Sequence, residues 1–227
     1  MNRDVDTVLF DLDDTLCEYR RSGEELIALA FEDVGVEPFF GQAEYHRRYP
    51  EFVDDTETVE ELRSDCFAAI AADAGYDPET GRALADAFAD ERDHRNVRPL
   101  PGAHEALERL AEDHRLGLVT NGAPVMQGLK LEGLGIRDSF DTLVHAGYDA
   151  AGKPDPEPFH HALSRLDSEP DRAVHVGNSL GSDVAGARAA GVGSVWLPDG
   201  THEGPPDPTP DYTLESLHDL LEPPWLA

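Results

Sequence analysis

The chain has 227 residues, 40% of them hydrophobic, and a formal net charge of −29 at pH 7. This length can bury the core of one domain, with or without a small insert, and the hydrophobic fraction excludes a disordered chain. The negative charge argues against nucleic acid and anionic membranes as partners, because both attract basic surfaces.

The composition also bears on location and solvent. No apolar run is long enough to span a membrane, the first residues lack the apolar core of a signal peptide, and two cysteines make no disulfide framework. A cytoplasmic location is therefore expected. Two lysines against 16 arginines in this acidic chain indicate a halophilic protein, whose surface needs screening by concentrated cations. A melting temperature that does not rise with KCl would contradict this hypothesis.

The first predicted element is a strand that ends in carboxylates. The apolar run Val8-Leu9-Phe10 is typical of a strand buried on both faces in a parallel sheet. Asp11 and Asp13 follow it directly, where unpaired charges next to a core are costly. A bound cation would remove that cost. A second Asp-x-Asp, Asp4-Val5-Asp6, precedes the strand and is interpreted as solvated surface.

Residues 18–96 show helical patterns and no strand pattern. Two of the helix starts, Ser22 and Thr58, stand three residues before a glutamate, which is the spacing of a capping box. A further helix is expected between Gln42 and Asp55, with an interruption near Pro50, and Pro78 is a suitable first residue for a fourth helix. The sequence therefore predicts an all-helical insert after the first strand.

Strands and helices alternate from Val97 onward. The predicted strands are Leu116–Val119, Thr142–Val144, Ala173–Val176 and Ser194–Trp196. The helices between them end near Leu134, Leu166 and Ala190, and the second is expected to start with Asp155 as N-cap. A loop from Pro198 to Pro210 and a closing helix from Leu214 to Leu221 complete the chain. This alternation implies right-handed crossovers and a parallel sheet.

Polar residues cluster at or just after the predicted strand ends, where open α/β sheets bind ligands. The clusters are Asp11 with Asp13, Thr120-Asn121-Gly122, Lys153, and Asn178 with Asp183. Taken singly, each has a simpler explanation: Thr120 and Asn121 could cap the next helix, and Lys153 and Asp183 could be surface charges. Four clusters in this order favour a common site.

The four clusters resemble the motifs of the haloacid dehalogenase superfamily of phosphohydrolases, over nearly the whole chain. The matching segments read DLDDT, VTNG, GKPDP and GNSLGSD. The resemblance implies an α/β fold with a Rossmann-like parallel sheet core in three α/β/α layers and an all-helical cap domain. It places the catalytic core in residues 1–17 and 97–227 and the cap in residues 18–96.

The resemblance also implies an aspartyl-phosphate mechanism. Asp11 would attack phosphorus, and Asp13 would protonate the leaving group and then activate water. Lys153 would stabilise the transferring phosphoryl group, a charge-stabilising role typical of phosphoryl transfer. Thr120 and the backbone amides of Asn121 and Gly122 would donate hydrogen bonds to the same oxygens.

Magnesium is the cofactor that the resemblance implies. Its ligands would be Asp11, the backbone carbonyl of Asp13, and Asp183, an all-oxygen set that suits Mg²⁺. Asn178 departs from the motif, which more often has Asp here. Its amide oxygen can still ligate the ion or a bound water, but it carries no charge, so the metal would depend more on Asp183.

The sequence favours a phosphatase for a small phosphorylated metabolite, and two alternatives stay open. Dehalogenase chemistry is disfavoured because that branch lacks the second aspartate, present here as Asp13. Phosphonate cleavage is disfavoured because residues 18–96 contain no lysine. A phosphomutase needs the same two aspartates, and a non-catalytic metal- or phosphate-binding regulatory domain would explain Asn178. The sequence does not indicate an oligomeric state.

Overall fold

The structure is a computed structural model that describes residues 4–53, 56, 58–200 and 202–226. The chain forms two compact units. The α/β unit comprises the residues up to Tyr19 and those from His94 onward, and the helical unit is Arg20–Asp93.

The strands of the described residues form one large sheet and one small one. In chain order they are β1 (Thr7–Phe10), β2 (Cys17–Tyr19), β3 (Val97–Pro99), β4 (Arg115–Thr120), β5 (Thr142–His145), β6 (Ala173–Gly177), β7 (Gly193–Trp196) and β8 (Tyr212–Thr213). The large sheet has the order β5-β4-β1-β6-β7-β8, and all of its neighbouring strands are parallel. Strands β2 and β3 pair antiparallel by themselves.

Helices supply the crossovers and fill the helical unit. The α-helices are α1 (Gly23–Val34), α2 (Gln42–Arg48), α3 (Val59–Asp73), α4 (Pro78–Glu91), α5 (Ala103–Ala111), α6 (Pro124–Leu134), α7 (Glu157–Leu166) and α8 (Ala185–Ala189). A π-helical turn, Leu180–Val184, runs directly into α8.

The central strand β1 contributes to the core on both sides of the sheet. Val8 and Phe10 pack into one buried cluster, whereas Leu9 packs into another with Val119 and Phe159. Alternate residues of a strand point to opposite faces, so an unbroken apolar run fits a strand covered on both sides. The α/β fold class with a parallel Rossmann-like sheet is confirmed.

The helical unit has its own aromatic core. Phe67 contacts Phe40, Tyr45 and Phe88 with rings nearly perpendicular, a favourable geometry for aromatic pairs. The two predicted capping boxes, at Ser22 and Thr58, are both present. Each hydroxyl accepts from the backbone amide of the glutamate three residues later, and the carboxylate of that glutamate accepts from the backbone amide of the cap residue.

One local prediction for the first half of the chain is confirmed and another is wrong. The predicted interruption near Pro50 is present: helix α2 ends at Arg48 and continues as a 3-10 turn, Tyr49–Glu51, because the ring of Pro50 interrupts regular α-helical bonding. The predicted helix end at Asp55, with Asp54, lies outside the described residues. The expectation of no strand in residues 18–96 is wrong at β2, which is too short to show an alternating pattern.

Two further corrections concern the second half. Helix α7 begins at Glu157 with Pro156 as its N-cap residue, although Asp155 still accepts a hydrogen bond from the amide of Glu157. The predicted closing helix Leu214–Leu221 is wrong, because the amide of Leu214, directly after β8, bonds to the carbonyl of Trp196 in β7 and only Leu217–Leu221 is helical, as a 3-10 turn. In this segment, pairing with β7 overrides the helical pattern of the leucines.

Candidate active site

The candidate site lies where three adjacent strands end. Strands β4, β1 and β6 are neighbours in the sheet, and their last residues are followed or formed by polar motif residues. A cavity of about 210 Å³ opens at these ends. Its lining consists of Asp11, Asp13, Asp14, Thr120, Asn121, Gly122, Lys153, Asn178, Ser179, Ser182 and Asp183. The structure thus brings together every site residue predicted from the sequence.

A second, larger cavity does not offer the same chemistry. It measures about 470 Å³ and shares only Asp14 with the candidate site. Its other polar lining residues include the carboxylates of Glu18, Asp199 and Glu215. The smaller cavity is preferred because it combines carboxylates with a buried ammonium group and a hydroxyl.

Lys153 is the electrostatic centre of the site. Its buried Nζ donates to Asp11 Oδ1 at 2.8 Å, to Asp183 Oδ1 at 2.6 Å and to the carbonyl oxygen of Val119 at 2.8 Å. Burial alone would lower the pKa of the ammonium group, but the two carboxylates outweigh it and raise that pKa. Lys153 is therefore a fixed positive charge between two aspartates.

The two aspartates that Lys153 joins have opposite pKa shifts. Burial raises the pKa of Asp11 to about 6, and Lys153 only partly offsets it. Burial alone would also raise the pKa of Asp183, but Lys153 and His175 together hold that pKa below the usual aspartate range. Asp183 is thus the anchored anion. Asp11 is the more basic carboxylate, which suits a nucleophile.

The π-helical turn after β6 carries Asp183. Its Oδ2 accepts from the backbone amide of Ser179 at 2.9 Å, and its Oδ1 lies 3.1 Å from His175 Nε2. Burial lowers the pKa of His175, so the neutral ring donates through Nε2 while its buried Nδ1 has no partner among the described residues. Glycine is required at Gly177, because a side chain there would collide with the Asp183 carboxylate.

Thr120 is oriented by two donors. Its Oγ1 accepts from Gln127 Nε2 at 2.8 Å and from the amide of Gly122 at 3.3 Å. With both acceptor positions used, the hydroxyl hydrogen is available to a ligand oxygen. The alternative of helix capping is wrong, since the N-cap residue of α6 is Ala123 and has no side-chain cap bond.

The side chain of Asn121 links two segments of the site. Its Oδ1 accepts from the backbone amide of Lys153 at 2.8 Å, and its Nδ2 donates to the carbonyl oxygen of the same residue at 3.1 Å. This reciprocal pair holds the segment of Lys153 next to the end of β4. Asn121 thereby fixes the backbone from which the ammonium group projects.

Asp13 is held from the side of helix α6. Its Oδ1 accepts from Lys130 Nζ at 2.5 Å and its Oδ2 from Gln127 Nε2 at 2.8 Å. Burial alone would lower the pKa of Lys130, but its contacts with Asp13 and Tyr19 outweigh that effect and raise it. The carboxylate itself keeps 41% of its side-chain exposure and stays accessible from the cavity.

Asn178 lies in the cavity wall with its amide oxygen already engaged. Oδ1 accepts from the hydroxyl of buried Thr15 at 3.3 Å, and the backbone carbonyl accepts from Trp196 Nε1 at 2.8 Å. These contacts fix Asn178 between the segment that follows β1 and strand β7. An amide oxygen has two lone pairs, so one acceptor position is left for a ligand.

Sequence reasoning missed three buried residues that contact the site: Gln127, Lys130 and His175. One signal was present for Lys130, because it is one of only two lysines in the chain and the other is Lys153. Gln127 precedes it by three residues and so shares its helix face. His175 lies inside an apolar strand and has no comparable signal.

The donor set of the cavity suits a magnesium ion. Four carboxylates line it against one ammonium group, and amide and hydroxyl oxygens complete the wall. Among the described residues, no three His, Cys, Asp or Glu side chains group closely enough to form a metal cluster. Mg²⁺ commonly binds through one or two carboxylates and keeps several waters, so a sparse oxygen site of this kind fits it.

The chain belongs to the haloacid dehalogenase-like hydrolase family, because the family's sequence profile matches residues 5–191. The prediction of the superfamily from the four motifs is therefore confirmed.

Among the described residues, no helix has the length and apolar character needed to cross a membrane.

Named relatives are similar to this chain over different spans. Phosphoserine phosphatase from Thermus thermophilus is 37% identical over 164 residues, covering 70% of this chain but only 64% of that protein. Glyceraldehyde 3-phosphate phosphatase from Methanopyrus kandleri is 30% identical over 227 residues, covering 96% of each. The crystal structure of YfnB from Bacillus subtilis bound to magnesium superposes with a TM-score of 0.76 at 23% identity, covering 97% of this chain and 98% of that one. The last similarity shows a shared fold.

Proposed function

We propose that this protein hydrolyses small phosphomonoesters through an aspartyl-phosphate on Asp11, with Mg²⁺ as cofactor. The observation that carries the proposal is the contact of Lys153 Nζ with both Asp11 and Asp183, in a cavity that Thr120 also lines. A fixed ammonium group beside a basic carboxylate is what an anionic nucleophile needs to approach a phosphoryl group.

In the first step, an oxygen of Asp11 bonds to phosphorus while the bond from phosphorus to the ester oxygen breaks. Asp13 transfers a proton to the departing oxygen, which leaves as an alcohol. Lys153 and the hydroxyl of Thr120 donate to the phosphoryl oxygens, where negative charge must be stabilised during transfer. Both donors are already held in place by the contacts described above.

In the second step, water attacks the phosphorus of the aspartyl-phosphate. Asp13, now ionised, takes the proton from that water, and the bond from phosphorus to Asp11 breaks. Inorganic phosphate leaves and both carboxyl groups return to their starting protonation states. Asp13 thus acts as the acid in the first step and as the base in the second.

The proposed ligands of Mg²⁺ are Asp11, the backbone carbonyl of Asp13, Asp183 and Asn178. When bound, the ion would neutralise charge between the phosphate group and the carboxylates around it. The support is the acidic oxygen lining of the cavity, together with the magnesium-bound relative YfnB.

The relatives support a small phosphorylated metabolite as substrate. The two relatives described above carry the names phosphoserine phosphatase and glyceraldehyde 3-phosphate phosphatase. The helical unit Arg20–Asp93 is proposed as the family's cap domain, which selects among such esters. A cytoplasmic location remains part of this proposal.

The test is phosphate release from a panel of phosphomonoesters in molar KCl with Mg²⁺. The panel contains phosphoserine, glyceraldehyde 3-phosphate, glycerol 3-phosphate, nucleoside 5′-monophosphates and p-nitrophenyl phosphate. Asp11→Asn should lower release by about 10³-fold or more, as expected when a nucleophile is removed. The matched control is Asp4→Asn, the same substitution in the other Asp-x-Asp, which should leave release unchanged.

Three results would contradict the proposal. Release that survives Asp11→Asn would exclude the nucleophile, and release that is insensitive to chelation would exclude the metal. No release from any ester, with Mg²⁺ still bound, would favour a phosphomutase or a non-catalytic binding domain. Turnover that appears when a bisphosphorylated sugar is added as cofactor would then indicate the phosphomutase, and no turnover would indicate the non-catalytic binding domain.

A further inference from the structure

The acid/base candidate Asp13 is held by two donors from one helix, a contact that the proposed mechanism does not use. Gln127 and Lys130 are three residues apart on α6, so their side chains leave the same face of the helix. Each donates to a different oxygen of the Asp13 carboxylate, at 2.8 and 2.5 Å. In sequence the two donors lie 114 and 117 residues away from Asp13.

Both donors are buried and are themselves supported. The Gln127 side chain is fully buried and bridges Asp13 to Thr120 through a single Nε2. Lys130 is 3% exposed, and its Nζ lies 4.8 Å from the ring centre of Tyr19, a cation–π distance. The hydroxyl of Tyr19 lies 2.6 Å from His94 Nδ1.

Two donors on two oxygens restrict the carboxylate more than one would. A single hydrogen bond leaves an aspartate free to turn about its last side-chain bond, whereas a bond to each oxygen fixes the plane of the group. Each oxygen retains a second lone-pair position for a proton. The backbone permits this arrangement because residue 122 is glycine, and a side chain there would collide with the amide of Gln127.

We propose that Gln127 and Lys130 are positioning residues that hold the Asp13 carboxylate in the orientation needed for proton transfer to the leaving group. The inference rests on the proposed phosphatase function, since it assigns Asp13 that proton transfer. It also gives a role to Lys130, the second of two lysines in a chain that otherwise uses arginine. Each lysine pairs with one of the two aspartates that follow β1.

The dependence of rate on the leaving group tests this role. A nitrophenolate departs with little help from an acid, whereas an alkoxide needs a proton. In Lys130→Met, kcat/KM for glycerol 3-phosphate, or the best alkyl ester of the panel, should fall about 10- to 100-fold. For p-nitrophenyl phosphate, kcat/KM of Lys130→Met should fall less than about threefold. Gln127→Leu should lower kcat/KM for both esters, because Gln127 also orients Thr120, and should lower it more for the alkyl ester. The ratio kcat/KM reports the first phosphoryl transfer, in which the leaving group departs.

Leu131→Ala is the control for loss of structure alone. Leu131 is a fully buried core residue of the same helix and is not among the donors to Asp13. Its truncation should lower the melting temperature and should lower kcat/KM for both esters by the same factor. Asp13→Asn supplies a second check, because adding Lys130→Met to it should change the leaving-group dependence no further.

The inference is overturned if Lys130→Met lowers kcat/KM equally for both esters, as Leu131→Ala does. It is also overturned if Gln127→Leu lowers kcat/KM no more for the alkyl ester than for p-nitrophenyl phosphate. A further change in the Asp13→Asn background would also overturn it. Each of these results leaves the phosphatase proposal intact, because the unsubstituted protein would still release phosphate in an Asp11-dependent way. No release from either ester by the unsubstituted protein would overturn the proposed function and this inference together.

Discussion

The two ends of strand β1 carry the same sequence pattern in different surroundings. Asp4-Val5-Asp6 precedes the strand and Asp11-Leu12-Asp13 follows it. At the first end, Asp4 and Asp6 share Arg172, whose side chain is 44% exposed. At the second end, two lysines of 2% and 4% side-chain exposure pair with Asp11 and Asp13.

The difference shows what separates a structural carboxylate from a chemically active one. Asp6 is satisfied in place, since Thr7, Ser168 and Arg172 all donate to it. Arginine suits that role because its planar fork can contact several acceptors at once. At the other end, the partners are compact ammonium groups that are themselves buried. The pattern is identical, and the two ends differ in the type of cation and in how deeply that cation is buried.

The largest effect on stability and activity is expected when the buried cation next to Asp11 is removed. Lys153→Met leaves Asp11 and Asp183 buried without their positive partner, which should cost about 3–5 kcal/mol of unfolding free energy. Urea unfolding at pH 7 without Mg²⁺ measures this loss, and phosphate release should fall by about 10²-fold or more. Arg172→Met is the matched change at the exposed end and should cost clearly less. Equal losses in the two variants would remove the distinction drawn between the ends.

A smaller effect is expected from Asp6→Asn, and it should depend on pH. Burial would raise the pKa of Asp6, but the bond from Arg172 and those from Thr7 and Ser168 outweigh it and lower that pKa. A lowered folded-state pKa stabilises the fold above the ordinary value of 3.8, and this contribution is lost as the pH falls through the lowered pKa. The substitution should therefore cost about 1–2 kcal/mol at pH 7 and progressively less below pH 4.

Urea unfolding of the Asp6→Asn variant and the unsubstituted protein at pH 7, 5 and 3 measures this difference. Phosphate release at pH 7 should not change, since Asp6 lies at the opposite end of β1 from the cavity. A cost that grows as the pH falls would show the opposite sign of linkage and would contradict the assignment.

The smallest effect is expected from Asp4→Asn. The Asp4 side chain is 89% exposed, and its contact with Arg172 at 3.0 Å is open to solvent and salt. No measurable change in unfolding free energy or activity is expected, in dilute buffer or in molar KCl. A clear destabilisation at low salt would show that the exposed end is more tightly organised than its solvent exposure indicates.

Much of the site could be predicted from the sequence, because the carboxyl ends of parallel strands lie at the same edge of the sheet. Asp11 and Thr120 directly follow or end neighbouring strands, and Asn178 follows the third. Each motif therefore needed only a local signal, a polar residue after an apolar run. The capping boxes of α1 and α3 were predictable for the same reason, since all of their atoms lie within four residues.

The parts that could not be predicted depend on distant or very short segments. The helical period places Gln127 and Lys130 on one face but cannot tell that this face meets Asp13. Strands β2 and β3 have three residues each, which is too few to reveal an alternating pattern. At the C-terminal end, the leucines of Leu217–Leu221 suggested a longer helix than the packing allows.

The order of strands in the sheet has a consequence for how the chain is made on the ribosome. Strand β1 precedes both of its neighbours, and the second of them is complete only at Gly177. All of Arg20–Asp93 is synthesised before either neighbour exists. During that interval an apolar strand has two unpaired edges, a state prone to association with other chains. Acidic residues outnumber basic ones in the part already synthesised, and the resulting repulsion between chains opposes such association until the sheet closes around β1.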